Sequence, residues 1–137
     1  IFLFLITTIT SLVVVDVADA YLAKRQLTQV AEAAAQTGSH QIDLTRYYNG
    51  GLIDSGMGYQ LVPISCNSAI LYAQRYLYSN TLRGNPIYMT GWNCENEKVM
   101  INVRSEIRPL ISLPIVNGTF GQRLFITSSV IATSVVR

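Results

Sequence analysis

Side chains able to do chemistry are few in this sequence. The sole histidine, His40, and the carboxylates Asp43 and Asp54 fall in a stretch rich in Gly, Tyr, Asp and Asn, and the only cysteines are Cys66 and Cys94. A hydrolytic triad needs a histidine held between a nucleophile and a carboxylate. A lone histidine in a loop reads instead as a solvated residue. Zinc takes about four ligands, and neither cysteine has a C-x-x-C partner, so no metal site and no cofactor are expected. Asp43 and Asp54 could offer oxygens to Ca²⁺ alongside backbone carbonyls. They lack EF-hand spacing, however, and suit turn positions as they stand. Asn117-Gly118-Thr119 matches a glycosylation sequon and equally an Asn-Gly turn. No catalytic constellation emerges, and the chain reads as non-enzymatic.

The remaining chemistry is that of the cysteines. If the globular part is exported, a bond between Cys66 and Cys94 would stabilise it by about 3–4 kcal/mol in the chain-entropy view. In a cytosolic protein the same pair would be two buried thiols. The opening segment implies export and favours the disulfide.

What must position these residues is a chain of 137 residues, half of them apolar and only 13% charged. That length allows one domain plus an appended element. The ten basic residues are scattered, with no cluster beyond Lys24-Arg25. A nucleic-acid footprint needs a stripe or patch, so none is expected.

The apolar excess lies in Ile1–Val15, which is uncharged throughout. Ala18-Asp19-Ala20 matches the A-x-A of a signal-peptide cleavage site, yet the helical pattern runs straight through it. Ile1–Val15 spans only about 22 Å as a helix, and extension to Ala23 about 35 Å. A membrane span needs about 20 residues, so the longer version encloses Asp16 and Asp19. An acid at the membrane centre costs about 2.5–3.5 kcal/mol on insertion scales. Either further residues precede Ile1, or Asp16 finds a basic partner on a neighbouring helix.

Beyond Asp16 the residues Ala20, Ala23, Leu27, Val30, Ala31 and Ala34 recur at spacings of three and four, forming one apolar stripe. Together these features predict one helix over residues 1–37, about 55 Å long. Its front would be buried in membrane or filament core, its back on a domain over 38–137. The assembly face would use Ile1, Phe2, Leu3, Phe4, Leu5, Ile6, Ile9, Leu12, Val13, Val14, Val15, Asp16, Ala20, Ala23 and Leu27.

Gly38-Ser39 is expected to end this helix. A loop follows, then a second helix over Ser68–Ser79, capped by Asn67 or Ser68, with Ile70, Ala73, Tyr76 and Leu77 inward. The period then changes to two. Ile87–Trp92 reads as a strand and "NCENE" as a turn. Val99, Ile101, Val103 and Ile107 form the inner face of a second strand. Pro109–Pro114 is a connector, ending near Gly118 and Gly121, before a last strand over Leu124–Val136. The predicted class is α+β, with a three-stranded antiparallel sheet covered by helices. Tyr47, Tyr48, Tyr59 and Tyr72, with Tyr76, Tyr78 and Tyr88, either fill a small core or supply subunit contacts and surface adhesion.

Several motifs in order resemble those of the TadE/TadG-like proteins, pilin-like proteins of bacterial tight-adherence (Flp) pilus loci. They are Val15-Asp16, the Ala20–Gln26 stretch, the Ala31–Ala35 run, Ile42-Asp43 with Tyr47-Tyr48, the Val99–Arg104 strand, "PLISLP" and "ITSSVIATSVVR". Type IV-like pilins generally carry a glutamate early in the mature helix; here position 5 is Leu5 and the first acid is Asp16. The resemblance implies a pilin-like fold and a structural subunit, major or minor, of a surface filament. Its partners would be copies of itself or other pilins through the N-terminal helix, with the membrane holding it before assembly. The alternative is a membrane-anchored binding, adhesion or pilus-assembly accessory protein that does not polymerise. Lys24-Arg25 would place the C-terminal side in the cytoplasm by the positive-inside rule. The cysteine pair and the resemblance place it outside.

Overall fold

A computed structural model describes residues 1–95, 97–108 and 123–136. The Pro109–Pro114 connector, Gly118, Gly121 and the Asn117 sequon lie outside the described residues.

Helix α1 spans Phe2–Ser39, 38 residues without interruption. No proline falls within it, and its alanine-rich second half has high helix propensity. Only that second half is packed: Ala23, Leu27, Ala31, Ala34 and Ala35 are fully buried. Ala20 and Val30, also expected in the stripe, are half-buried. The helix does not stop at Gly38 as expected. It runs through Gly38-Ser39 to a right-handed cap at His40 (φ −78°). Gly38 therefore serves close approach, not a left-handed turn. A Cβ there would meet the Ala69 carbonyl oxygen at 3.3 Å and the Trp92 ring at 3.4 Å.

The expected loop contains a short helix, α2 (Leu44–Tyr48), and two two-residue strands, β1 (Ile53–Asp54) and β2 (Gln60–Leu61). Helix α3 spans Cys66–Tyr78, two residues ahead of the expected start, with Ala69, Ala73 and Leu77 buried and Ile70 half-buried. Its cap position is Ser65, two residues before Asn67 and three before Ser68.

The main sheet has four antiparallel strands, not three: β3 (Thr81–Leu82), β4 (Asn85–Cys94), β5 (Lys98–Ile107) and β6 (Leu124–Thr133), in that order. The added strand is β3. Leu82 pairs with Asn85 across a two-residue Arg83-Gly84 turn, and both turn residues have positive φ (51° and 81°). That is the twist a tight hairpin needs. On β5 the alternation is as expected: Val99, Ile101, Val103 and Ile107 are buried, with Ser105 completing the row. Strand β4 carries a bulge between Met89 and Gly91, which lets Gly91 sit against Asn102, where a Cβ would lie 2.7 Å from its amide nitrogen.

The last expected strand divides in two. Ser134 leaves the main sheet, its hydroxyl donating to the Val62 carbonyl oxygen and its amide to Glu97 O at 3.0 Å. Strand β7 (Val135–Val136) then joins a separate small sheet in the order β1-β2-β7. The core lies between the back half of α1, one face of α3 and the inner face of the main sheet.

Candidate functional site

The front half of α1 projects from this domain, and among the described residues nothing packs on it. Its most apolar stretch has a mean hydropathy of 1.9, and none of that stretch is buried. Phe2 is 78% exposed and Val14 61% exposed. Ile1, Leu3, Phe4, Leu5, Ile6, Ile9, Val13 and Val15 are exposed as well, and Leu12 and Asp16 are half-exposed. Monomeric soluble proteins rarely show a contiguous apolar surface of this extent. The helix is long and apolar enough to cross a membrane, and a signal sequence would meet the same test. Of the expected assembly residues, Ala23 and Leu27 are instead committed to the domain's own core.

Local chemistry explains why the helix stays whole where it leaves the domain. Thr7, Thr8 and Thr10 return their hydroxyls to carbonyls of Phe4 and Ile6, so these polar groups need no water along the apolar rod. The two acids differ. Asp19 is gripped by Arg83 of the β3–β4 turn: Nη1 donates to Oδ2 at 2.6 Å and Nη2 to Oδ1 at 2.7 Å. The bond holds the guanidinium above its ordinary pKa, so it stays charged throughout the physiological range. Asp16 has an Oδ1 shielded from solvent and no hydrogen-bond partner.

Arg83 is the residue that sequence reading missed. The signal was present: an Arg-Gly pair between Leu82 and Asn85 is a tight-turn cue, though not one that says which helix the arginine reaches. At the opposite, β6 edge of the main sheet, a shallow groove of about 400 Å³ lies between Ala20, Tyr21 and Lys24 of α1 and Ile107, Leu124 and Phe125 of the sheet.

The cysteines are joined, Cys66 to Cys94, with Cα atoms 5.8 Å apart. The bond ties the start of α3 to the end of β4. Asp43 accepts a hydrogen bond from the Arg46 amide and caps α2, and Asp54 accepts from the Gly56 amide. Both carboxylates thus have the turn role. Among the described residues no three His, Cys, Asp or Glu side chains are gathered as a metal site would require. His40 is exposed at the α1 cap. Tyr48 (78%), Tyr47, Tyr59 and Tyr72 are exposed, whereas Tyr76 is half-buried against the core. Tyr47 and Tyr48 meet edge to face, 5.5 Å between ring centres.

No protein-family profile, no curated protein and no solved structure matches this chain.

Proposed function

We propose that this chain is a structural, non-enzymatic subunit of a bacterial surface filament of the tight-adherence type. Its long helix is held first in the membrane and then among sister helices. The observation that carries the reading is the division of α1 into a buried back half and a bare apolar front half within one unbroken helix. Burying an apolar side chain contributes roughly 1.5–3 kcal/mol, so a row of them gives a strong drive to leave water for lipid or for like helices. The disulfide supports an exported domain, since such bonds persist in oxidising compartments. The resemblance of several ordered motifs to those of TadE/TadG-like proteins supports the pilus context.

The second reading is an anchored extracellular binding protein that stays monomeric. The exposed tyrosines favour it, because large amphipathic rings suit recognition surfaces. The two readings differ in what covers the front half of α1, lipid alone or other copies. Val14→Asp tests this. It should abolish filaments while the disulfide-bonded domain stays folded. Filaments of normal abundance would overturn the filament reading.

A further inference from the structure

We infer that the end of the domain from which α1 emerges docks on the membrane surface and selects anionic phospholipid. Tyr21, Leu124 and Phe125 enter the interface, and Lys24, Arg104 and Arg108 meet lipid phosphates. This docking rests on a membrane-held α1, which the filament and the anchored readings share.

Two contacts fix the level of this face along α1. At one edge of the main sheet, Arg83 holds Asp19. Toward the other edge, Thr28 Oγ1 lies 2.8 Å from Ser128 Oγ, which sets α1 alongside β6. From Ser128 back to Leu124 is about 13 Å of strand, equal to the rise of about nine helical residues. Leu124 therefore lies level with residues 19–21, and Ala20, Tyr21 and Lys24 line one groove with Ile107, Leu124 and Phe125.

That level matches the boundary of a bilayer. The helix is uncharged from Ile1 to Val15. Residues 16–21 then rise about 7.5 Å, close to the depth of one headgroup layer. With Ile1–Val15 in the hydrocarbon, Asp16 and Asp19 fall among the headgroups, where a carboxylate keeps water. The face of the domain meets the same layer.

The side chains at this face suit that place. Tyr21, Leu124 and Phe125 are all exposed, and amphipathic and aromatic rings are favoured at the headgroup boundary. Charge sorts the same way. Asp19 and Glu106 are already held by Arg83 and Arg123. Lys24, Arg104 and Arg108 are exposed, and no ion pair among the described residues uses them. Arg104 lies over the Phe125 ring, 3.7 Å from its centre, so its charge sits beside the apolar patch. Arg108 follows Ile107 at the end of β5. Lys24 leans toward the N-terminus of α1, as helical side chains do, which carries its ammonium toward the headgroups. Cations around an apolar centre fit an anionic lipid surface better than a neutral one. A second copy docked face to face would set these cations against their own kind.

The test uses the full chain in phosphatidylcholine vesicles brominated on the acyl chains, with phosphatidylglycerol added in steps. Phe125→Trp supplies the reporter, and the unsubstituted chain gives the background of Trp92. Flotation shows whether α1 holds the vesicle. The introduced tryptophan should be quenched as phosphatidylglycerol rises. Arg108→Gln should raise the phosphatidylglycerol fraction for half-maximal quenching about fivefold. Lys24→Gln with Arg104→Gln and Arg108→Gln should abolish the dependence. A chain that floats with its reporter unquenched at every composition would overturn the docking and leave the membrane-held helix intact. Quenching that ignores both phosphatidylglycerol and the triple variant would do the same. A reporter that is blue-shifted yet unquenched would mean that a second copy covers the face, which also overturns the docking. A chain that fails to float would overturn the membrane-held helix and the docking with it. Where Phe125→Trp disturbs the domain, Leu124→Trp reads the same face.

Discussion

Through Asp19, Arg83 of the β3–β4 turn holds the exit of α1 from the domain. The pair is bidentate and only partly exposed, which places it above the usual surface ion pair. Arg83→Ala should lower unfolding stability by about 1 kcal/mol. A thermal melt of the detergent-solubilised full chain, cycled with Asp19→Asn, should show that the two losses do not add. Additive losses would mean that the bond carries nothing. At this scale the sequence was read unevenly. Asp43 and Asp54 were legible as loop residues because short carboxylates accept hydrogen bonds from backbone amides two or three residues on, and both do, Asp43 as the cap of α2 and Asp54 in a turn. The Asp19–Arg83 bond was not, because 64 residues separate its partners and no periodic pattern links a turn to a helix.

Among elements, the back half of α1 was the most legible. An alanine-rich stripe at spacings of three and four can only bury itself against something close, and α3 and the sheet take that place. Leu27 is among the largest fully buried side chains of the described residues. Leu27→Ala should therefore cost about 2–5 kcal/mol, measured by the same melt; a loss below 1 kcal/mol would mean that the helix is not part of the fold. The disulfide joins the start of α3 to the end of β4, so replacing both cysteines with serine should cost about 3–4 kcal/mol and lower the melting temperature accordingly. The main strands β4, β5 and β6 were legible from their period of two. Strand β3 and the small β1-β2-β7 sheet were not, since elements of two residues carry no period. The helix end was misplaced for a related reason. Glycine was read for its backbone freedom, whereas Gly38 is there because the Ala69 carbonyl and the Trp92 ring leave no room for a Cβ.

For the whole molecule, the decisive feature is a single unbroken helix, about 57 Å at 1.5 Å per residue, with one end built into a disulfide-closed domain and the other uncovered among the described residues. The composition of Ile1–Val15 revealed the bare end, but no single-chain pattern says what covers it. In detergent-free water the full chain should sediment as large aggregates, and Val14→Asp should shift it toward smaller species; unchanged aggregation would locate the sticky surface elsewhere. A filament subunit and a lipid-anchored monomer differ in whether sister helices cover this rod. The most direct measurement is electron microscopy of filaments sheared from the source cells, with mass spectrometry of their subunits. A filament subunit should be present there as a stoichiometric component, with the Cys66–Cys94 bond intact. Its absence from them, with recovery from membranes as a monomer, would overturn the filament reading and leave the front half of α1 as a lipid anchor.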